Sequence, residues 1–200
     1  MDFVQRVKQH SKRIMRMKHV DMVPTASVKK EVLAGAWSNA KPMERLARLC
    51  NVVLDNFDKE QVLWAEFDGR KGLRVSKNPA VWVGVMGGKT WRRFSGKSID
   101  PLDLESMSDV APSVMYDVHS NGLEIIDLTE LQVCDWKGGL VKPQVARLVL
   151  VGPHWRPSSS GKSQQYFGLV LDFDQRLVDG ARASDFLDAV VSGLNVETDG

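Results

Sequence analysis

Apolar residues recur along this chain at two different periods, and the change of period divides it. Phe3, Val7, Ile14 and Met17 fall on one stripe of an amphipathic helix spanning Met1 to Lys18, with Arg6, Lys8, Lys12, Arg13, Arg16 and Lys18 on its other faces. Pro24 closes that segment, and Thr25 or Ser27 is placed to cap a short second helix reaching about Leu33, which Gly35 ends. Pro42 then opens a helix through Asn56. Its stripe of Met43, Leu46, Leu49, Cys50, Val53 and Leu54, continued by Phe57, is wide enough to cover one face of a sheet.

From Gln61 onward the period drops to two. Val62 to Phe67 and Leu73 to Val75 read as strands about Asp68-Gly69. Val81, Val83 and Val85 alternate with Trp82, Gly84 and Met86, and Gly87-Gly88 supplies a tight turn into a return strand from Lys89. Asn121-Gly122 marks a further hairpin between Ser113–Ser120 and Leu123–Val133. Val145 to Val151 is nearly all apolar, as a strand buried on both sides would be. GPHWRPSSSGKSQ reads as a long polar loop, after which Phe167, Leu169, Leu171 and Phe173 alternate with their neighbours. A closing helix capped by Ser184 buries Phe186, Leu187, Val190, Val191 and Leu194. About eight strands in hairpin order, with helices gathered at the ends, predict the α+β class. The expected architecture is an antiparallel sheet, sandwich or open barrel with N-terminal helices and a C-terminal helix. The expected organisation is a basic amphipathic arm over residues 1–22 and one α+β domain over 23–200.

Charge changes this picture. The net +2 of the whole chain conceals 20 Lys and Arg against 9 Asp and Glu in residues 1–97, and 7 against 16 in the remainder. Such asymmetry points to an anionic partner for the first half, or to copies pairing basic against acidic surfaces in a homo-oligomer. No apolar run approaches a membrane span and the basic start lacks the apolar core of a secretion signal. A non-secreted, cytoplasmic protein is expected, with peripheral membrane or nuclear placement left open. Cys50 and Cys134 sit in apolar-periodic segments and read as buried thiols.

The richest candidate surface follows from the hairpin over Ala80 to Lys97. Arg70, Lys71, Arg74, Lys77, Lys89, Trp91, Arg92, Arg93 and Lys97 occur in a stretch with no Asp or Glu between Gly69 and Ile99. Cations interleaved with an indole suit a phosphate backbone with a stacked base, or an anionic lipid surface. Gly88-Lys89-Thr90, Gly96-Lys97-Ser98 and Gly161-Lys162-Ser163 each end like a phosphate-binding loop, but the position that needs the first glycine holds Val83, Trp91 or Arg156. Asp117 and His119 share a face of one predicted strand, and His154 lies in the polar loop; no third group stands at a diagnostic spacing. Asp172, Asp174 and Asp179 form an acidic cluster, in which Asp172 and Asp174 are read as capping a strand end and pairing with Arg176 rather than binding a cation. No metal and no cofactor are expected.

The run ARLVLVGPHWRPSSSGKSQQYFGLVLDFDQRL resembles the strand, proline-containing loop and second strand of plant virus movement proteins of the tobamovirus-typified superfamily, through Leu148, Val149, Gly152, Trp155, Gly168, Leu171, Asp174 and Arg176. That resemblance implies a non-enzymatic protein with an antiparallel β core that binds single-stranded nucleic acid and associates with membranes. A small viral matrix protein fits the charge layout as well. The expectation is a viral-type protein contacting RNA, another nucleic acid or an anionic membrane through its basic half. The alternatives are a self-assembling structural protein and a small hydrolase centred on Asp117 and His119.

Overall fold

The computed structural model describes residues 23–35, 40–68, 72–85, 90–95, 98–106, 122–157 and 161–195. Strand β1 (Thr25–Leu33) leads to helix α1 (Pro42–Asp55) and two 3₁₀ turns (Phe57–Lys59 and Gln61–Trp64). The short strands β2 (Glu66–Asp68) and β3 (Gly72–Arg74) form a separate antiparallel pair. Then come β4 (Ala80–Val85), β5 (Thr90–Ser95), α2 (Pro101–Glu105), β6 (Leu123–Asp127), a 3₁₀ turn (Thr129–Leu131), β7 (Ala146–Pro157), β8 (Ser163–Asp174) and α3 (Gly180–Asn195). The main sheet has six strands in the order β1-β8-β7-β6-β4-β5. The α+β class and the C-terminal helix are as the sequence predicts. The sheet is mixed, because β6 runs parallel to both β4 and β7.

Helices α1 and α3 cover one face. Pro42 starts α1 where no amide donor is needed, and the Lys41 backbone N–H donates to Glu44 Oε2 at 3.0 Å. Helix α3 is opened by Asp179, whose Oδ1 accepts from the Ala181 N–H at 2.6 Å. Leu46, Leu49, Val53, Phe186, Leu187 and Val190 meet Val83, Ile125, Leu148, Leu150, Leu169 and Leu171 in the main core. Trp64 is fully buried there, edge-on to Phe57 at 5.1 Å and to Phe186 at 5.6 Å. The second face carries a smaller core of Ile126, Val149, Val151 and Val170, covered by Val133 and Trp136. Alternate residues of β7 and β8 thus serve different cores, which accounts for their nearly unbroken apolar runs.

Four expectations are corrected. Thr25–Leu33 is a strand, not a capped helix: it pairs with β8 from Thr25↔Asp174 to Leu33↔Tyr166, and Val28 and Val32 alternate toward the core. Strand β6 makes no hairpin across Asn121-Gly122, since parallel neighbours occupy both its edges; Ser113–Ser120 lies outside the described residues. The supposed polar loop is largely strand, because β7 continues to Pro157 and β8 begins at Ser163. Ser184 falls inside α3, and Asp179 does the capping. The predicted arm over 1–22 is outside the described residues. Among those described, no helix is long and apolar enough to cross a membrane.

Candidate functional site

The pairing directions make β1, β4, β6 and β7 run the same way, so their carboxyl ends gather at one end of the sheet. Open sheets with parallel strands bind ligands at that end, where the connections diverge. Two groups of polar residues lie there, one on each face.

On the helix-covered face, Asp127 closes β6 and is buried. Its Oδ1 accepts both the Thr129 N–H (2.8 Å) and the Thr129 hydroxyl (2.7 Å). Burial pushes this carboxyl above its ordinary range and the Glu130 charge adds to that, while the Thr129 bonds and the Arg45 charge pull against it. Arg45, on α1, donates to the Ala40 carbonyl at 2.6 Å and lies 5.4 Å over the Phe167 ring. Its Nε is buried and has no hydrogen-bond partner among the described residues. Cys50, one turn further along α1, has its thiol pushed far up by burial and then by the Asp127 charge. It is therefore a neutral packing group and not a nucleophile.

On the other face, His154 Nε2 lies 3.1 Å from Glu31 Oε1, and Arg156 reaches the same oxygen at 2.6 Å. The register shift between Val151 and His154 sets the imidazole beyond the regular ladder, stacked on Tyr166 with ring centroids 6.2 Å apart. Gly168 of β8 stands opposite Glu31 in the ladder. A Cβ there would approach Val151 Cγ2 to 2.8 Å and Lys29 Cε to 3.2 Å, so the missing side chain lets β1 and β7 communicate over β8. His154 Nδ1 is buried without a hydrogen-bond partner among the described residues.

Further polar groups fasten the segment after β6 across this face. Asp172 accepts from Ser27 Oγ at 2.5 Å and from Trp136 Nε1 at 2.8 Å, and Lys29 pairs with Asp135 at 3.1 Å. Glu124 and Arg147 form a buried ion pair. Asp174 holds Arg176 through Nε (2.9 Å) and a second guanidinium nitrogen (2.6 Å), as the sequence reading of that aspartate expects.

Where the basic residues singled out in the sequence are described, they are spread over β3, the connection after it and β5. Arg6, Lys8, Lys12, Arg13, Arg16, Lys18, Arg70, Lys71, Lys89 and Lys97 lie outside the described residues. Arg74 is exposed on the small β2–β3 pair, 3.6 Å from Glu66, and Lys77 is exposed in the connection to β4. Trp91 stands opposite Gly84 on β5. Arg92 and Arg93 are consecutive on that edge strand and so leave it by opposite faces. Arg92 donates to Ser106 Oγ at 3.1 Å and lies 5.4 Å over the Phe94 ring. Asp117 and His119 are not among the described residues, and those described include no group of three or more His, Cys, Asp or Glu able to hold a metal. Sequence reading missed Asp127, Thr129 and Glu31. The first two had a local signal, a carboxylate ending an apolar strand with a threonine two residues on.

No family model matches the chain, and no curated protein matches it. Solved structures do. A probable dihydrolipoamide acetyltransferase from Listeria monocytogenes aligns with a TM-score of 0.70 at 14% identity, over 98% of this chain and 93% of that one. The Azotobacter vinelandii dihydrolipoamide acetyltransferase aligns at 0.68 and 13%, over 95% and 88%. A truncated catalytic core of the 2-oxoacid dehydrogenase multienzyme complex from Thermoplasma acidophilum aligns at 0.64 and 18%, over 98% and 97%. The chain has the fold of acyltransferase catalytic cores.

That finding overturns the viral reading. The run thought to resemble movement proteins is the β7–β8 pair within this mixed sheet. The same likeness replaces the expectation of a non-enzymatic protein with that of an enzyme fold. The likeness also removes the ground for RNA or an anionic membrane as the expected partner, since neither belongs to the neighbours' printed descriptions; the Thermoplasma acidophilum neighbour is the core of a multienzyme complex. The A. vinelandii work concerns a serine, a histidine and an asparagine in that enzyme's mechanism, the last two four positions apart. None of His10, His19, His119 and His154 has Asn or Asp four positions on; those positions hold Ile14, Val23, Leu123 and Ser158.

Proposed function

We propose that this chain is an acyltransferase that moves an acyl group from a thioester to a thiol acceptor and works as a homo-oligomer. The observation that carries the reading is the alignment of nearly the whole chain with nearly the whole of several acetyltransferase cores. Thiol acylation needs a base near the acceptor sulfur and a donor near the acyl oxygen, whose charge grows in the transition state. His154 is the one histidine among the described residues, and Glu31 orients its ring, as a base requires. Its partner in the known histidine–asparagine spacing is missing, so the Glu31 carboxylate takes the orienting role here. Free Cys50 and Cys134 suit a reducing cytoplasm, where thioester donors and thiol acceptors persist.

The test incubates the purified chain with acetyl-coenzyme A and dihydrolipoamide and follows S-acetyl-dihydrolipoamide by mass spectrometry. Product forming faster than without protein, and slower with His154→Ala, is the expected result. Product at the uncatalysed rate with this and longer acyl donors would refute acyl transfer. Light scattering of the same sample should give an oligomer mass, and a monomer at high concentration would refute assembly.

A further inference from the structure

We infer that Arg156 recognises a phosphate group of the acyl donor and so holds the thioester beside His154. This rests on the acyl-transfer reading above and names the class of donor, a thioester carried on a phosphate-bearing coenzyme. The guanidinium and the imidazole share one carboxylate oxygen, Glu31 Oε1, at 2.6 Å and 3.1 Å, which sets them side by side. They leave β7 by the same face because they are two residues apart on that strand. Arg156 needs no cavity to meet a ligand, since its side chain is 58% exposed.

The charge at this end of the sheet is one-sided. From Gly152 to Leu171 the chain carries His154, Arg156 and Lys162 and no Asp or Glu. Pairing of β7 with β8 runs out to Pro157↔Ser163, and Lys162 is exposed one residue beyond. Gly161 beside it has a φ of +76°, and a Cβ there would meet nothing within 4 Å, so the turn is open. Glu31, from β1, is the one carboxylate paired with Arg156 among the described residues.

That carboxylate also serves His154, and one guanidinium nitrogen is enough to reach it, so Arg156 keeps N–H donors for an incoming anion. A guanidinium presents a planar fork of donors that matches phosphate oxygens, and such charge-assisted bonds are stronger than neutral ones. An ion pair as exposed as that of Arg156 with Glu31 is held weakly. A phosphate that takes Arg156 leaves Glu31 to the imidazole alone, which is the contact that orients the base.

Acetyl-pantetheine offers the thioester of acetyl-coenzyme A without phosphate, and acetyl-phosphopantetheine restores a phosphate without the nucleotide. For the wild type, KM for the two phosphorylated donors should lie about tenfold or more below that for acetyl-pantetheine, with a smaller difference in kcat. Arg156→Gln should remove most of this preference. Arg156→Lys, which keeps the charge without the fork, should keep part of it. Added salt should narrow the preference in the wild type.

Binding can be read without turnover. The histidine ring resonance that His154→Gln removes should shift when coenzyme A is added to the wild type, and much less in Arg156→Gln. Inorganic phosphate should need a far higher concentration to shift it; equal potency would make free phosphate the ligand and overturn recognition of the donor. Equal KM for all three donors, or the wild-type preference retained in Arg156→Gln folded by circular dichroism, would overturn this inference alone. A wild type that binds coenzyme A through Arg156 but transfers no acyl group would refute the proposed function and leave the phosphate site standing.

Discussion

His154 and Glu31 are 123 residues apart in sequence, yet a ring nitrogen of one lies 3.1 Å from a carboxylate oxygen of the other. Strand β8 lies between their strands, and its Gly168 removes the side chain that would obstruct the approach. Glu31→Leu deprives both His154 and Arg156 of their acceptor. Because Arg156 is more than half exposed, most of the loss comes from the imidazole contact, and about 1 kcal/mol is expected. Thermal unfolding should record a fall of a few degrees. Acyl transfer should fall further than that loss of stability explains.

Gly168→Ala tests the same crossing from the other side. The new methyl would sit 2.8 Å from Val151 Cγ2, a branched side chain in the second-face core with little room to turn, and 3.2 Å from the flexible end of Lys29. Overpacking of this kind costs about 1–3 kcal/mol. Chemical denaturation should show a lower midpoint with an unchanged slope. An unchanged midpoint would mean that the ladder shifts to admit the methyl.

The two cysteines should differ sharply in reactivity. Cys50 is buried on α1 with its thiol held neutral, whereas Cys134 is exposed in the segment crossing the second face. A maleimide at neutral pH should label one thiol per native chain and two after unfolding. Cys134→Ser should abolish the native labelling, and persistent labelling of that variant would show α1 opening from the sheet.

These contacts also mark how far the sequence could be read. Helix α1, the β4–β5 hairpin and the buried strand over Val145–Val151 were legible because local period and turn residues determine them. Thr25–Leu33 was misread because its caps and short length suit a helix as well as a strand, and only pairing with β8 decides the matter. The parallel setting of β6 was hidden for a related reason. Asn121-Gly122 favours a hairpin locally, but both edges of β6 are taken by strands from elsewhere in the chain. Asp127 could have been noticed as a carboxylate ending an apolar run. Nothing near Glu31 or His154 points to their meeting, since the register of three strands creates it.

Stability should depend on pH through Asp127 with a definite sign. Its carboxyl is raised in the folded protein relative to the unfolded chain, so the folded state binds the proton more tightly. Below the ordinary aspartate range both states are protonated and the burial of the acid form carries no ionic cost. As pH rises above that range the unfolded carboxyl ionises first, and stability falls until the folded one ionises too. Asp127→Asn has no charge to bury and keeps the Thr129 contacts, so it should be more stable than the wild type at neutral pH. Its advantage should shrink on acidification and be gone below about pH 4. Denaturation midpoints of the two proteins measured from pH 3 to pH 8 should converge at the acid end. An Asn variant less stable than the wild type at pH 7 would mean that Thr129 and Arg45 hold Asp127 as the anion.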